Sequence, residues 1–198
     1  MESVKPHNLE PAYISAKKAV SEEVASTLIE LVDERGKQSE WSYNPDCLEL
    51  QIANPFSRYK IPSDDKIVGV LPDLFGLGES CMRHMNRFFQ NNVCDIITGH
   101  HGFWILKYEK DGQFELHCDW DSGPNGIRPP IVATACVLLN DDFRGGETIL
   151  LTSESMQTII PREERSLLMW DGFTQHKVAP ITEGTRYALV IHYTGTIK

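Results

Sequence analysis

The fold turns on the stretch Phe103-Trp104-Ile105-Leu106-Lys107-Tyr108-Glu109-Lys110-Asp111-Gly112-Gln113-Phe114-Glu115-Leu116-His117-Cys118-Asp119-Trp120. An apolar run of strand character ends at Tyr108, a turn pair stands at Asp111-Gly112, and a second run opens at Phe114. Asp-Gly between two such runs predicts a β-hairpin. On a strand, residues two apart project to one face, so His117 and Asp119 point together while Leu116 and Cys118 point away. An imidazole nitrogen beside a carboxylate oxygen makes two adjacent corners of a metal site.

The same rhythm continues toward the C-terminus. IVATACVLLN (131–140), DDFRGG (141–146), ETILL (147–151), SLLMW (166–170) and RYALVIHY (186–193) are short apolar runs separated by turn signals. They predict an all-β sandwich or jelly roll from residue 99 onward. Gly145-Gly146 predicts a tight turn that needs positive φ, and His100 and His101, flanked by glycines, predict another turn.

Toward the N-terminus the texture is helical. Ser21 is a cap, Glu22 and Glu23 suit a first helical turn, and Val24, Leu28, Ile29, Leu31 and Val32 recur at helical spacing up to a stop at Gly36. Residues 46–53 read as extended. A second helical stretch spans 65–92, where Pro72 and the Gly76–Gly78 region are expected to break or kink it. Residues 1–20, with Pro6 and Pro11, read as a leader or an edge strand. The expected organisation is one domain over 1–198: a helical and extended support region at 1–98 and a β catalytic core at 99–198, the helices buttressing one face.

Composition narrows the function classes. The chain has 198 residues and a formal net charge of −9. That charge repels phosphate, so no nucleic-acid partner is expected. Five cysteines at irregular spacings, with no CxxC pair, argue against a disulfide framework or a Cys-rich zinc site. The first twenty residues contain no signal-peptide apolar segment. No run approaches the roughly 18 apolar residues of a membrane span. A cytoplasmic protein without a membrane partner is the expectation.

A third metal ligand is available at His176, just after the run Leu167-Leu168-Met169-Trp170. Two histidines and one carboxylate form a facial triad, which leaves the opposite metal positions open and suits Fe(II). Alone, His-x-Asp is a weak motif; the β context and the downstream His strengthen it. Further on, Arg186, Ala188, Val190 and His192 share one face of a predicted strand. Arg186 offers a two-pronged cation to a carboxylate beyond the metal, as 2-oxoglutarate would require. His192 is a candidate pocket residue for substrate. Trp120 and Trp170 read equally as walls of the site or as core. The Gly- and Pro-rich segment 121–130 reads as a lid carrying Arg128 toward substrate, or as a plain connector.

His117-x-Asp119, Leu139-Asn140, Gly145-Gly146-Glu147-Thr148, His176-x-Val178 and Gly184-Thr185-Arg186-Tyr187 together resemble the prolyl 4-hydroxylase branch of the Fe(II)/2-oxoglutarate-dependent oxygenases, over roughly residues 103–195. The resemblance implies a double-stranded β-helix, cupin-like, with iron in its mouth. It implies Fe(II), 2-oxoglutarate and O2, with L-ascorbate as a further expected cofactor, and it implies that Tyr108 faces the pocket and hydrogen-bonds the cosubstrate. The chain has Arg186 where collagen-type enzymes usually have Lys. It has Leu138 where oxygen-sensing relatives carry a cosubstrate-touching Tyr, so a hydroxyl from Tyr108 or Thr148 is expected in its place. A hydroxylase of a peptidyl proline is the leading expectation. A hydroxylase of a free amino acid or small metabolite, and a cupin-like metal-binding or sensing protein without turnover, stand as alternatives.

Overall fold

The computed structural model describes residues 14–38, 47–53, 65–89, 94–120, 131–151, 157–160 and 162–197. In chain order its elements are β1 (Ile14–Ala16), α1 (Glu22–Arg35), β2 (Lys37–Gln38), β3 (Cys47–Ala53), α2 (Asp65–Phe89), β4 (Cys94–Tyr108), β5 (Phe114–His117) and β6 (Ile131–Leu138). There follow β7 (Arg144–Gly145), β8 (Thr148–Leu151), β9 (Gln157–Ile159), β10 (Leu167–Asp171), β11 (His176–Val178), β12 (Ile181–Glu183) and β13 (Arg186–Ile197). Seven strands form a large sheet in the order β1-β10-β6-β13-β4-β3-β2, and four form a smaller one, β5-β11-β8-β9. β12 and β7 make a separate pair. This is a jelly roll with two helices on the outside of the larger sheet.

The helices form where the sequence places them. Ser21 Oγ accepts the Val24 amide at 3.1 Å and opens α1, and Gly36 closes it. Val24, Leu28, Leu31 and Val32 turn inward to meet Ile67, Leu74 and Met85 of α2 and Phe103, Ile105, Leu189 and Ile191 of the large sheet. Polar ties fix the docking. Asn86 on α2 bonds both the amide and the carbonyl of Ile97, and Tyr193 Oη donates to the Gly78 carbonyl at 3.1 Å. Asp33 on α1 accepts from Tyr187 Oη and pairs with Lys107 at 3.0 Å. No described helix is long and apolar enough to cross a membrane.

Four local expectations are corrected. α2 runs through Pro72 and its glycines without the break expected there. Proline in a helix costs about 3 kcal/mol, but burial of Ile67, Val70, Leu71, Leu74, Cys81 and Met85 offsets it at about 1.5–3 kcal/mol per large side chain. Asp111-Gly112 is a turn, with Asp111 at φ 68°, but not the turn of a hairpin. β4 already has β13 and β3 on its two edges, so β5 leaves for the other sheet and pairs with β11. The turn is held on β12 instead, by Asp111 N to Ile181 O at 2.8 Å and Ile181 N to Gly112 O at 3.0 Å. His100 and His101 lie within β4, beside a register shift opposite His192/Tyr193, and not in a turn. Strand β5 ends at His117, so Asp119 stands in the bend just beyond it.

Candidate metal centre

The smaller sheet brings the two histidines together by register: His176 on β11 pairs with His117 on β5. Asp119 completes the group. One donor atom from each of the three lies within 4.8 Å of the others. His117 Nε2 and His176 Nε2 are each 3.6 Å from Asp119 Oδ1. With metal–ligand bonds of roughly 2.0–2.2 Å, donors at such separations can close on one ion. Cys118 is exposed and Leu116 is 47% exposed, so the intervening side chains do point away.

The remaining polar atoms of the triad are occupied in a way that prepares it. His117 Nδ1 lies 2.7 Å from the Glu115 carbonyl and His176 Nδ1 lies 3.0 Å from the Thr174 carbonyl. A carbonyl can only accept, so each Nδ1 carries the proton and each Nε2 presents its lone pair to the site. Burial pushes the His176 imidazole down against the opposing pull of Asp119, favouring the neutral, ligating form. For Asp119 burial alone would raise the carboxyl. The imidazoles of His176, His117 and His192 gathered around it and the hydrogen bond from Thr134 outweigh it and hold the group well below the usual carboxylate range. Its other oxygen, Oδ2, accepts from Thr134 Oγ1 at 2.5 Å and from Trp170 Nε1 at 3.2 Å. Two neutral imidazoles and one carboxylate on a single face are the donor set that suits non-haem Fe(II).

β13 carries the rest. Arg186, Ala188, Val190 and His192 lie on the face toward the interior between the sheets. Ala188 packs with Cys136, Leu150, Leu168 and Trp170, and Val190 and Ile160 lean on this cluster. At one end Arg186 is 2% exposed. Its guanidinium donates to Thr148 Oγ1 at 3.2 Å, lies 5.1 Å from the Tyr108 ring centroid and shares its pocket with the Cys136 thiol. All of those partners are neutral, Nε has no hydrogen-bond partner, and no carboxylate among the described residues lies within ion-pair distance. A buried cation without an anion costs several kcal/mol, roughly. That orphaned donor, in a pocket also lined by Cys136, Leu138, Thr148, Ile160 and Leu168, fits the far carboxylate of an oxo-diacid. The Gly145-Gly146 turn (φ 70° and 65°) lets the chain close here: a Cβ on Gly146 would sit 2.3 Å from Ile181 Cδ1 and 3.2 Å from Arg186 Cδ.

The expected site residues therefore fall into three groups. His117, Asp119 and His176 converge. Arg186 and Thr148 line one pocket, to which the triad does not contribute. Tyr108, expected to face the pocket, is not in its lining; it packs with Cys47, Phe143 and Ile181, and its ring lies against the guanidinium. His192 approaches the triad, its Nε2 4.0 Å from Asp119 Oδ1 and its ring 4.9 Å from that of Trp104. Trp120 stacks on Phe173 at 4.4 Å and packs on the helix-side core. Arg128 and the segment 121–130 lie outside the described residues. Thr134 went unforeseen, although a lone hydroxyl inside the otherwise apolar run of β6 was a visible signal. Trp170 was foreseen as a wall or as core, without its bond to Asp119.

Comparison with known proteins agrees with this geometry. Residues 103–194 match the profile of the 2OG-Fe(II) oxygenase superfamily. No curated protein matches the chain significantly in sequence. Among solved structures, a prolyl-4-hydroxylase from Pseudomonas putida aligns with a TM-score of 0.67 at 12% identity, over 93% of each chain. A prolyl hydroxylase from Trichoplax adhaerens, in complex with a hypoxia inducible factor oxygen degradation domain peptide fragment, gives 0.71 at 18% identity, over 92% of this chain and 83% of that one. The viral collagen prolyl hydroxylase of Paramecium Bursaria Chlorella virus-1, as its 2OG complex, gives 0.65 at 13% identity, over 93% of this chain and 96% of that one. Residues 103–194, which carry the triad and Arg186, are thus similar to the 2OG-Fe(II) oxygenase superfamily, and the chain shares its fold with the prolyl hydroxylases above.

Proposed function

We propose that this dioxygenase hydroxylates an unactivated C–H bond of a peptide residue, a prolyl residue foremost. The observation that carries the cosubstrate half of this reading is Arg186: a buried guanidinium with an orphaned Nε, on the strand face that also leads to the triad. A protein that only stored metal would have no use for it. When bound, Fe(II) and 2-oxoglutarate with O2 supply the oxidising power that a C–H bond demands, and the protein supplies orientation and a dry site.

The side chains have separable tasks in this reading. His117 Nε2, Asp119 Oδ1 and His176 Nε2 would hold the metal. Arg186 takes the far carboxylate of the cosubstrate, with the Thr148 hydroxyl beside it and the Tyr108 ring as a platform that keeps the guanidinium from swinging away. The apolar cluster around Leu150, Leu168 and Ala188 excludes water between the two ends. His192 stands on the substrate side of the triad, and Trp120 and Arg128 are further candidates for substrate contact. The peptide class is supported by fold likeness to the Trichoplax enzyme, whose structure includes a peptide.

The test is to incubate Fe(II)-loaded protein with 2-oxoglutarate, proline-containing peptides and a panel of free amino acids. Mass spectrometry follows the gain of one oxygen, and succinate is measured in parallel. Oxygen gained by a peptide, matched by succinate, is the expected result. Oxygen gained only by a free amino acid would overturn the peptide class. Neither product with any candidate, together with no succinate, would overturn hydroxylation.

A further inference from the structure

One rung of the large sheet has a composition that apolar packing does not account for. Trp170 on β10 is directly opposite Thr134 on β6, and Thr134 is directly opposite His192 on β13. Residues opposite each other on adjacent strands project to the same side. All three approach one carboxylate: Trp170 Nε1 and Thr134 Oγ1 bond Asp119 Oδ2, and His192 Nε2 lies 4.0 Å from Oδ1. Thr134 is 1% exposed and Trp170 is 3% exposed, so both bonds are shielded from water.

We infer that Thr134 and Trp170 are positioning residues that hold Asp119 as a one-oxygen metal ligand. The inference rests on the metal-centre reading above. A carboxylate can bind a metal through one oxygen or two. Here Oδ2 is engaged by two donors, while Oδ1 faces both ligating imidazoles at 3.6 Å. Turning Oδ2 toward the metal would break two buried hydrogen bonds and strand their donors, which disfavours the two-oxygen mode. One more metal position thus stays open. Because both donors sit on paired strands, they are held in place by the sheet. Trp170 also packs its ring 4.8 Å from that of His176, so it supports two of the three ligands.

The test uses the full chain with Thr134→Val, Thr134→Ser and Trp170→Phe. Mn(II) affinity is read by electron paramagnetic resonance, the visible spectrum of the Co(II)-loaded protein reports coordination, and circular dichroism checks the fold. Thr134→Val should weaken Mn(II) binding by roughly 10–100-fold and alter the Co(II) bands as the second oxygen gains access. Thr134→Ser, which keeps the donor, should restore both. Trp170→Phe should move both readouts in the same direction by less. A folded Thr134→Val with unchanged affinity and unchanged bands would overturn the inference. If that variant does not fold, an unchanged Trp170→Phe does so instead. Failure of the wild-type chain to bind either metal would sink the metal-centre reading and this inference with it, a result distinct from the others.

Discussion

The two faces of β13 differ sharply in what they carry. The odd face, Leu189, Ile191 and Tyr193, is fully buried against α1 and α2. The even face carries Arg186 at one end, His192 at the other, and Ala188 and Val190 between them. One strand thus serves the helix-side core with one set of side chains and the pocket with the alternate set, because strand periodicity is two. Stability and chemistry are separated by a single residue step. Substitutions on the two faces should therefore fail in different ways.

The sharpest break is predicted on the pocket side. His176→Ala removes a metal ligand and should cost more than the roughly 10–100-fold in affinity that loss of an outer partner costs. Equilibrium dialysis with Fe(II) under nitrogen would measure it, and far-ultraviolet circular dichroism should stay that of the wild type. Arg186→Ala should raise the apparent KM for 2-oxoglutarate about 30-fold or more, corresponding to about 2–5 kcal/mol for one partner of a buried ionic contact. Succinate assays over a wide cosubstrate range would show it, and metal affinity should hardly move. On the helix side the pattern should invert. Leu189→Ala should destabilise the fold by about 2–5 kcal/mol, read by urea unfolding, while the folded fraction keeps its metal affinity. Tyr193→Phe removes the bond to the Gly78 carbonyl and should cost about 1 kcal/mol, visible as a small drop in Tm with unchanged succinate production. An even-face variant that unfolds the protein, or an odd-face variant that abolishes metal binding without unfolding it, would break the comparison.

What was legible in the sequence follows the same division. His117, Asp119 and His176 could be read from residue type and order, a His-x-Asp pair with a later histidine, although Asp119 reaches the group from the bend beyond β5 and not by strand alternation. The strand-rich second half could be read because turn signals recur at short intervals. Partner choice could not. The Asp111-Gly112 turn looks like a hairpin locally, and only the occupation of both β4 edges sends β5 to the other sheet. Pro72 looks like a helix breaker locally, and only the apolar stripe packed beneath α2 outweighs it. Thr134 is opaque for the same reason. Its relation to Trp170 and Asp119 is a matter of long-range register, and register is set by the assembled sheet. Tyr108 shows a further limit. Its position at the end of β4 was readable, but its role as a ring under Arg186, beside Cys47, emerges only from packing.

The central claim is that one ferrous ion and one 2-oxoglutarate bind side by side along one face of β13, the ion on the triad and the diacid on Arg186. Anaerobic addition of Fe(II) and 2-oxoglutarate to the wild-type chain tests it directly, by the weak visible charge-transfer band that arises when the oxo-acid chelates the metal. The account predicts a band in the wild type, none in Asp119→Ala, and a band in Arg186→Ala that needs far more 2-oxoglutarate to develop. No band in the wild type, or a band of full strength in Asp119→Ala, would contradict it.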